Sequence, residues 1–418
     1  MKNSPYNVLI VGAGLAGLSC AQHLFAKGIS FLLLEGSDAV GGRVRTDEVN
    51  GFLLDRGFQV LQTAYPEAQQ TLDYSRLDLH RFAAGALVRF RGRFHRVMDP
   101  WRNPQKLLHA IFSPIGTFAD KLGVAHLKYQ VCYGSIEALF HKRETSTIMA
   151  LRNYGFSNAM IDRFFRPFFS GVFFENELET SSRMFEFVFR MFAKGDVALP
   201  KHGMRMIPEQ IAAPLPWQSI SLNTRVEAVT EDKVLLASGE EIKADYVVLA
   251  TDGTETGRLL SDSRSFETCP ATCLYFSSTT PPINEPILVL DGDGTGPVTN
   301  LCVPSVVSNS YAPAGKALIS ATVLGHPKES DQGLEAMVRV QLTGWFGAMV
   351  EQWEHLKTYH ILHALPRQTP PLFDPFHQPY RARKKLLVCG EYHSVSSIQW
   401  AMCSGRKTAE LIASELHA

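Results

Sequence analysis

One short segment constrains this chain more than any other. The apolar run Val8-Leu9-Ile10-Val11 passes without a break into Gly12-Ala13-Gly14-Leu15-Ala16-Gly17. A branched, uninterrupted apolar run reads as a buried parallel strand, and glycines at this spacing directly after it each have a task. Gly12 makes the tight turn, Gly14 lets the backbone approach a pyrophosphate, and Gly17 lets helix and strand pack closely. The spacing predicts a helix over 15–27 closed by Gly28, then a second strand over 29–34 ending in Glu35. That is a βαβ unit of the usual ~30 residues. Its helix N-terminus, with Leu15 and Ala16 in the first turn, would face the anion, and Glu35, followed by Gly36, would accept from ribose hydroxyls. A bare glycine turn would need none of this context, so the unit is read as a dinucleotide site.

Composition narrows the rest. At 418 residues, two or three domains are expected. With 41 Lys+Arg against 41 Asp+Glu there is no net charge to attract a phosphate backbone, so no nucleic-acid partner is expected. Seven cysteines without a CxxC pair predict neither a disulfide framework nor a metal site, and a reducing, cytoplasmic setting is the expectation. Cys269 and Cys273 are spaced too widely for a redox pair and read as strand residues. Met1-Lys2 before the apolar 8–21 stretch imitates a signal peptide, but the placed glycines serve the nucleotide motif instead. Further along, 65–199 reads as mostly helical with a basic patch over 89–96. Strands are predicted at 225–230, 233–237, 244–250 and 385–389, the last followed by a final helix.

A second set of residues separates FAD from NAD. Gly41-Gly42-Arg43-Val44-Arg45-Thr46 resembles the second fingerprint of the flavin amine oxidase, protoporphyrinogen oxidase and phytoene desaturase superfamily. The resemblance extends to Asp55-Arg56-Gly57-Phe58-Gln59, Pro200-Lys201-His202-Gly203-Met204, Val226, Gly390-Glu391 and Ser397-Ile398-Gln399-Trp400-Ala401. It implies an α/β fold: a Rossmann-like FAD-binding domain of glutathione-reductase type, discontinuous over 1–64, 200–260 and 381–418, with an α+β substrate domain over 65–199 and 261–380. It also implies that Arg43 lies by the pyrophosphate and flavin, that the Val226 backbone meets the adenine, that Glu391 meets the ribitol-pyrophosphate region, and that a helix beginning at Ile398 points at the flavin ring. Gly57, Phe58 and Gln59 join this cofactor set. A helix start at that point suits the electron-rich side of a reduced flavin on its own physical grounds.

A second nicotinamide site would need another strand, glycine motif and helix. The one candidate, 287–296, has its third glycine at the wrong spacing and reads as a hairpin turn, so oxygen or a quinone is the expected acceptor. The stretch 156–192 holds 11 of the 26 phenylalanines. Most are expected in the core and a minority along an apolar tunnel. Its Arg166-Pro167-Phe168-Phe169-Ser170-Gly171-Val172-Phe173 segment resembles the desaturase-like branch, which implies an isoprenoid or similar hydrophobic substrate. It also raises peripheral membrane contact as an expectation.

Amine oxidases of the superfamily flank the flavin with aromatic side chains and hold a water with a lysine. Here Ser397 falls at the aromatic position, and Trp400 stands where glycine is usual, where its ring would either narrow access to the flavin or fill a packing gap. No side chain is assigned as acid or base, and Gln59 and Trp400 are the candidates for the flavin face. The leading expectation is FAD-dependent dehydrogenation of an isoprenoid, carotenoid or porphyrinogen. An amine oxidase and a catalytically silent FAD- or isoprenoid-binding protein are the alternatives. His355, His360 and His363 read as core or surface residues rather than ligands, with His360 and His363 on opposite faces of a strand.

Overall fold

The computed structural model describes residues 6–99, 102, 114–261, 267–377 and 379–417; Met1-Lys2 lie outside the described residues. The strand Val8–Val11 is buried along its whole length, as is its parallel neighbour Phe31–Leu34. With one face covered by helices and the other mainly by a small antiparallel sheet, such strands carry no polar alternation. They lie in a six-stranded sheet ordered Ile220–Ser221, Phe31–Leu34, Val8–Val11, Tyr246–Leu249, Leu386–Val388, Tyr380–Arg383. The first five strands are parallel and the last is antiparallel. Segments from both ends and the middle of the chain therefore build one sheet.

The helix Leu15–Ala26 and the final helix Ile398–Leu416 cross against this sheet. Gly405 makes the crossing close, because a Cβ there would lie 2.0 Å from the Ala16 carbonyl oxygen. The opposite face of the sheet carries a small antiparallel sheet, Val226–Val229, Lys233–Leu236 and Glu241–Lys243; its first two strands were anticipated and the third was not.

A seven-stranded sheet forms the second layer, ordered Glu354–Pro366, Thr268–Ser278, Ala317–Leu324, Val298–Cys302, Leu288–Asp291, Gly85–Phe90, Arg93–Met98. The last two strands correct the expectation of a mostly helical 65–199. The basic patch 89–96 is a hairpin whose turn, Arg91-Gly92, has positive φ at both positions. Twist-matched hairpin turns need that geometry, so the Arg-Gly pair was the overlooked signal. The 287–296 segment is the hairpin turn it was expected to be, with the Asp291 carboxylate accepting from the N–H groups of Asp293, Gly294 and Thr295. Cys269 and Cys273 are strand residues, as anticipated.

One face of this large sheet packs on the helix Asp331–Phe346 through Leu334, Val338 and Leu342, meeting Ile319, Ala321 and Val323. Period-two alternation then turns Ser320 and Thr322 to the opposite face. That face looks across an internal chamber at the Phe-rich helices Arg166–Phe173 and Ser182–Lys194.

Candidate FAD cleft and adjoining chamber

The three glycines of the first motif divide their tasks as their spacing predicts. Gly12 has φ +104°, and a Cβ would sit 2.8 Å from the Ala250 carbonyl oxygen. Gly17 allows no side chain either, since its Cβ would lie 1.9 Å from the Gly12 oxygen. Gly14, the N-cap of the first helix, instead has nothing within 4 Å of where a Cβ would stand. It opens with Leu15 and Ala16 onto a cavity of about 1420 Å³. That exceeds the ~300–1,000 Å³ of an ordinary single-ligand pocket and leaves room for a second molecule beside a dinucleotide.

Glu35 and Gly36 line the same cavity at the end of the second strand. The Glu35 carboxylate accepts from the Ala13 N–H at 2.7 Å and from the Ser37 N–H and hydroxyl, so it ties the glycine turn to the strand end beside the cleft. Val226 lines the cavity at a bulge in its strand. Thr224, Arg225, Thr251, Asp252 and Glu255 surround that end of the cleft, and sequence reasoning named none of them. They come from loops and, for Glu255, the first turn of the helix Gly253–Leu260, which only strand order brings together.

The second motif is pressed against the first. Gly41 pairs with Gly14 as a short parallel bridge, and a Cβ on Gly42, at φ +59°, would lie 3.3 Å from the Gly14 Cα. Arg43 is the junction of the cleft: its guanidinium donates to the Ala364 carbonyl at 2.6 Å and pairs with the Glu391 carboxylate. Glu391 also accepts from the Ser396 hydroxyl at 2.9 Å. Two residues 348 positions apart, each singled out separately, thus form one ion pair. Gln59 reaches the cavity and donates to the carbonyls of Arg43 and Arg56. Gly57 and Phe58 line the wall beside it, as do Gly390 and Ile398. The bared backbone at Gly14 and Gly42, the helix start and the Arg43 cation together fit a pyrophosphate-bearing dinucleotide.

Trp400 is the correction. Its indole is buried among Phe140, Phe187 and Phe376, at ring-centroid distances of 5.6, 5.7 and 5.3 Å, and takes no part in the cavity wall. At ~100° per residue, Ile398 and Ala401 share the helix face toward the cleft, while Trp400 points to the other side. Of the two readings of this residue, filling a packing gap is the one the fold adopts, and flavin-face contact falls away.

Beyond the cleft the wall divides by polarity. Asp47, Arg56, Lys357 and Tyr359 form a polar edge: Asp47 accepts from Arg56 at 3.0 Å, from the Tyr359 hydroxyl at 2.8 Å and from Lys357 at 3.4 Å. Burial pushes the Asp47 carboxyl up, but these donors outweigh it and hold its pKa below the ordinary value. Past that edge the chamber is largely apolar, with Asp99, Arg102 and Lys128 as a charged group in its wall. Phe164, Phe168, Phe174, Phe189 and Phe192 line it, whereas Phe165, Phe173, Phe185 and Phe187 are buried in the core. With Phe169, six of the eleven phenylalanines in 156–192 reach the cavity, which corrects the expectation that only a minority would.

His360 contacts Asp331 and Thr272, and His363 contacts Thr268. Both reach the cavity rim, which corrects the alternating placement: the pairing jumps from Cys269–Leu365 to Ala271–Ile361, so the strand bulges between them. Among the described residues no three side chains are grouped to hold a metal ion.

Comparison with known proteins agrees with this geometry. The profile of the flavin containing amine oxidoreductase family matches residues 15–413. The 15-cis-phytoene desaturase of Glycine max is 25% identical over 288 residues, covering 62% of this chain and 50% of that protein. Protoporphyrinogen oxidase 2 of Arabidopsis thaliana is 36% identical over 66 residues, 16% of this chain and 13% of that protein. The chain therefore spans half or less of the length of the curated relatives it matches. Among solved structures, putrescine oxidase bound to putrescine superposes with a TM-score of 0.71 at 16% identity, covering 98% of this chain and 99% of that one. With a dinucleotide cleft of the right construction and a profile match over nearly its whole length, the chain belongs to the flavin containing amine oxidoreductase family, and FAD is the cofactor its cleft accommodates.

Proposed function

We propose that this chain is an FAD-dependent oxidoreductase that removes hydrogen from an apolar small molecule, of the isoprenoid, carotenoid or porphyrinogen kind, with oxygen or a quinone as final acceptor. The observation that carries this reading is the phenylalanine-lined chamber continuous with the FAD cleft. Bound FAD supplies a hydride acceptor, so the protein need only position the substrate C–H and keep water away. The chamber walls do both: flat rings from two helices hold an apolar skeleton, and the polar edge at Asp47 is closed by its own ion pairs. Gln59, fixed by two backbone carbonyls, lies where it can orient a ligand at the cleft.

The polar edge also supports the second reading, an amine oxidase, because the ionised Asp47 faces the cavity. Against it, that carboxylate already answers two cations, Arg56 and Lys357. The silent-carrier reading loses its ground once Trp400 points away from the cleft. Anaerobic mixing of the holoprotein with isoprenoids, porphyrinogens and amines, following loss of the flavin's visible absorbance, tests all three. Bleaching by an apolar compound is expected; bleaching by amines alone would install the second reading, and bleaching by dithionite alone the third.

Access for an apolar substrate has a structural counterpart. Phe118, Leu122, Tyr129 and Tyr133 are each more than half exposed and recur along one face of, and just beyond, the helix Phe118–Cys132, which also presents Val124 and Lys128 to the chamber. We propose this face as a peripheral membrane contact. No helix among the described residues is long and apolar enough to cross a membrane. Flotation with phosphatidylcholine vesicles, lost on Phe118→Ser with Leu122→Ser, is the expected result.

A further inference from the structure

The large sheet carries a row of polar side chains across the floor of the apolar chamber. Tyr359, Cys273, Thr322 and Asn300 are register partners on four adjacent strands, and all four line the cavity. The first two are satisfied: Tyr359 bonds to Asp47, and the Cys273 sulfur contacts the Ser320 hydroxyl at 3.3 Å. The last two are not. Asn300 and Thr322 are 2% and 3% exposed, and neither the Asn300 Oδ1 nor the Thr322 Oγ1 has a partner among the described residues. A buried polar atom without a partner is costly, and in a native fold it asks for an explanation.

The surroundings are built to keep Asn300 there. Gly171, on the helix opposite, would place a Cβ 2.2 Å from the Asn300 Nδ2, so any larger residue would push the amide aside. Phe164 and Phe168 line the same cavity beside it, and Phe168 lies on the Gly171 helix. With strands ~4.8 Å apart, Asn300 lies roughly 14 Å across the sheet from Tyr359, whose hydroxyl touches the strand that follows the Arg43 motif.

We propose that Asn300 and Thr322 form a polar anchor in the floor of the substrate chamber, across the sheet from the cofactor cleft, taking a neutral hydroxyl or amide carried by an otherwise apolar, elongated substrate. This deepens the apolar-substrate reading above and rests on it. An amide and a hydroxyl side by side both donate and accept, which matches an alcohol or amide. The row itself holds no ionised group, and the charged residues that line the chamber past it, Asp99, Arg102 and Lys128, are engaged with one another, so a neutral group suits the row better than an ammonium or carboxylate. Sites that hydrogen-bond a substrate hydroxyl discriminate strongly against an analogue lacking it, because their own polar groups are left unpaired.

Calorimetric titration of the holoenzyme with 1-octanol, 1-fluorooctane and octylammonium tests the anchor. Octanol is expected to bind about tenfold or more tightly than its fluoro analogue, and Thr322→Val and Asn300→Leu should each erase most of that preference. Equal binding of the two neutral probes, or a preference that survives both substitutions, would overturn the anchor while leaving the apolar chamber intact. Binding of octylammonium alone would overturn the apolar reading and the anchor with it. Without ligand, Thr322→Val should leave Tm unchanged or raise it by about 1–4 °C, since it removes an unpaired hydroxyl. A lowered Tm would show that the hydroxyl serves the fold, and would also overturn the proposal.

Discussion

At the scale of single residues, the Arg43–Glu391 pair joins the two ends of the chain across the cleft. Arg43→Ala removes a cation from the pyrophosphate region and leaves Glu391 without its partner. The expected loss in FAD affinity is about 10–100-fold, the worth of one or two charge-assisted hydrogen bonds. Fluorescence titration of the apoprotein with FAD would show it, and an unchanged affinity would remove Arg43 from the cofactor set. Asp55 is a different case, a carboxyl wholly buried behind the cleft. Burial raises its pKa from 3.8 to about 6, against the opposing hydrogen bonds from Thr46, the Met204 N–H and Tyr311. A carboxyl with a raised folded pKa binds its proton more tightly when folded. Its stabilising contribution is therefore full below its unfolded value and is lost as pH rises through about 6. The stability of the wild type relative to Asp55→Asn should fall by about 2 kcal/mol between pH 4 and pH 7. Paired urea titrations of the two proteins measure this directly, and a pH-independent difference would mean that Asp55 stays ionised.

At the scale of elements, the two helices that start at the cleft are locked together by a glycine. Gly405 has an ordinary helical backbone, so Gly405→Ala would improve helix propensity by about 1 kcal/mol were packing not involved. Packing decides otherwise, because the added Cβ meets the Ala16 carbonyl oxygen at 2.0 Å. Overpacking of this kind typically costs about 1–3 kcal/mol, and the helix shift that relieves it moves the N-terminus facing the cofactor. The variant should therefore melt at a lower temperature and retain less flavin, by calorimetry and by the ratio of flavin to protein absorbance. Trp400 shows the same scale from the sequence side. A single helical residue can be placed on a face only when its neighbours' faces are known, and Ile398 and Ala401 settle that Trp400 looks into the core.

At the scale of the whole molecule, the cleft is assembled from segments far apart in the sequence: the glycine turns near the N-terminus, Val226 in the middle and Gly390-Glu391 near the C-terminus. A ligand bound there holds the assembly together, and one that binds only the folded state stabilises it by mass action. FAD at a hundred times its dissociation constant should raise stability by about 2.7 kcal/mol. Removing the cofactor should lower Tm measurably, and re-addition should restore it; a Tm indifferent to FAD would contradict the assigned cleft.

The sequence alone determined the nucleotide-binding unit, because its chemistry is local. A strand, three glycines and a helix lie within one short stretch, and their spacing marks the turn even though the contact that excludes a side chain at Gly12 comes from distant Ala250. The motifs that resemble the flavoprotein superfamily were legible for the same reason, since each is a few consecutive residues whose backbone must take one shape. Tertiary structure alone decided the rest. The Arg43–Glu391 pair, the Asp47 network and the row from Tyr359 to Asn300 depend on which strands lie side by side, and strand order is not written in any window of the chain. Which phenylalanines meet the core and which the chamber was decided there too. Burial of an apolar side chain is favoured on either face of a helix, and only the neighbour opposite tells a wall from a core.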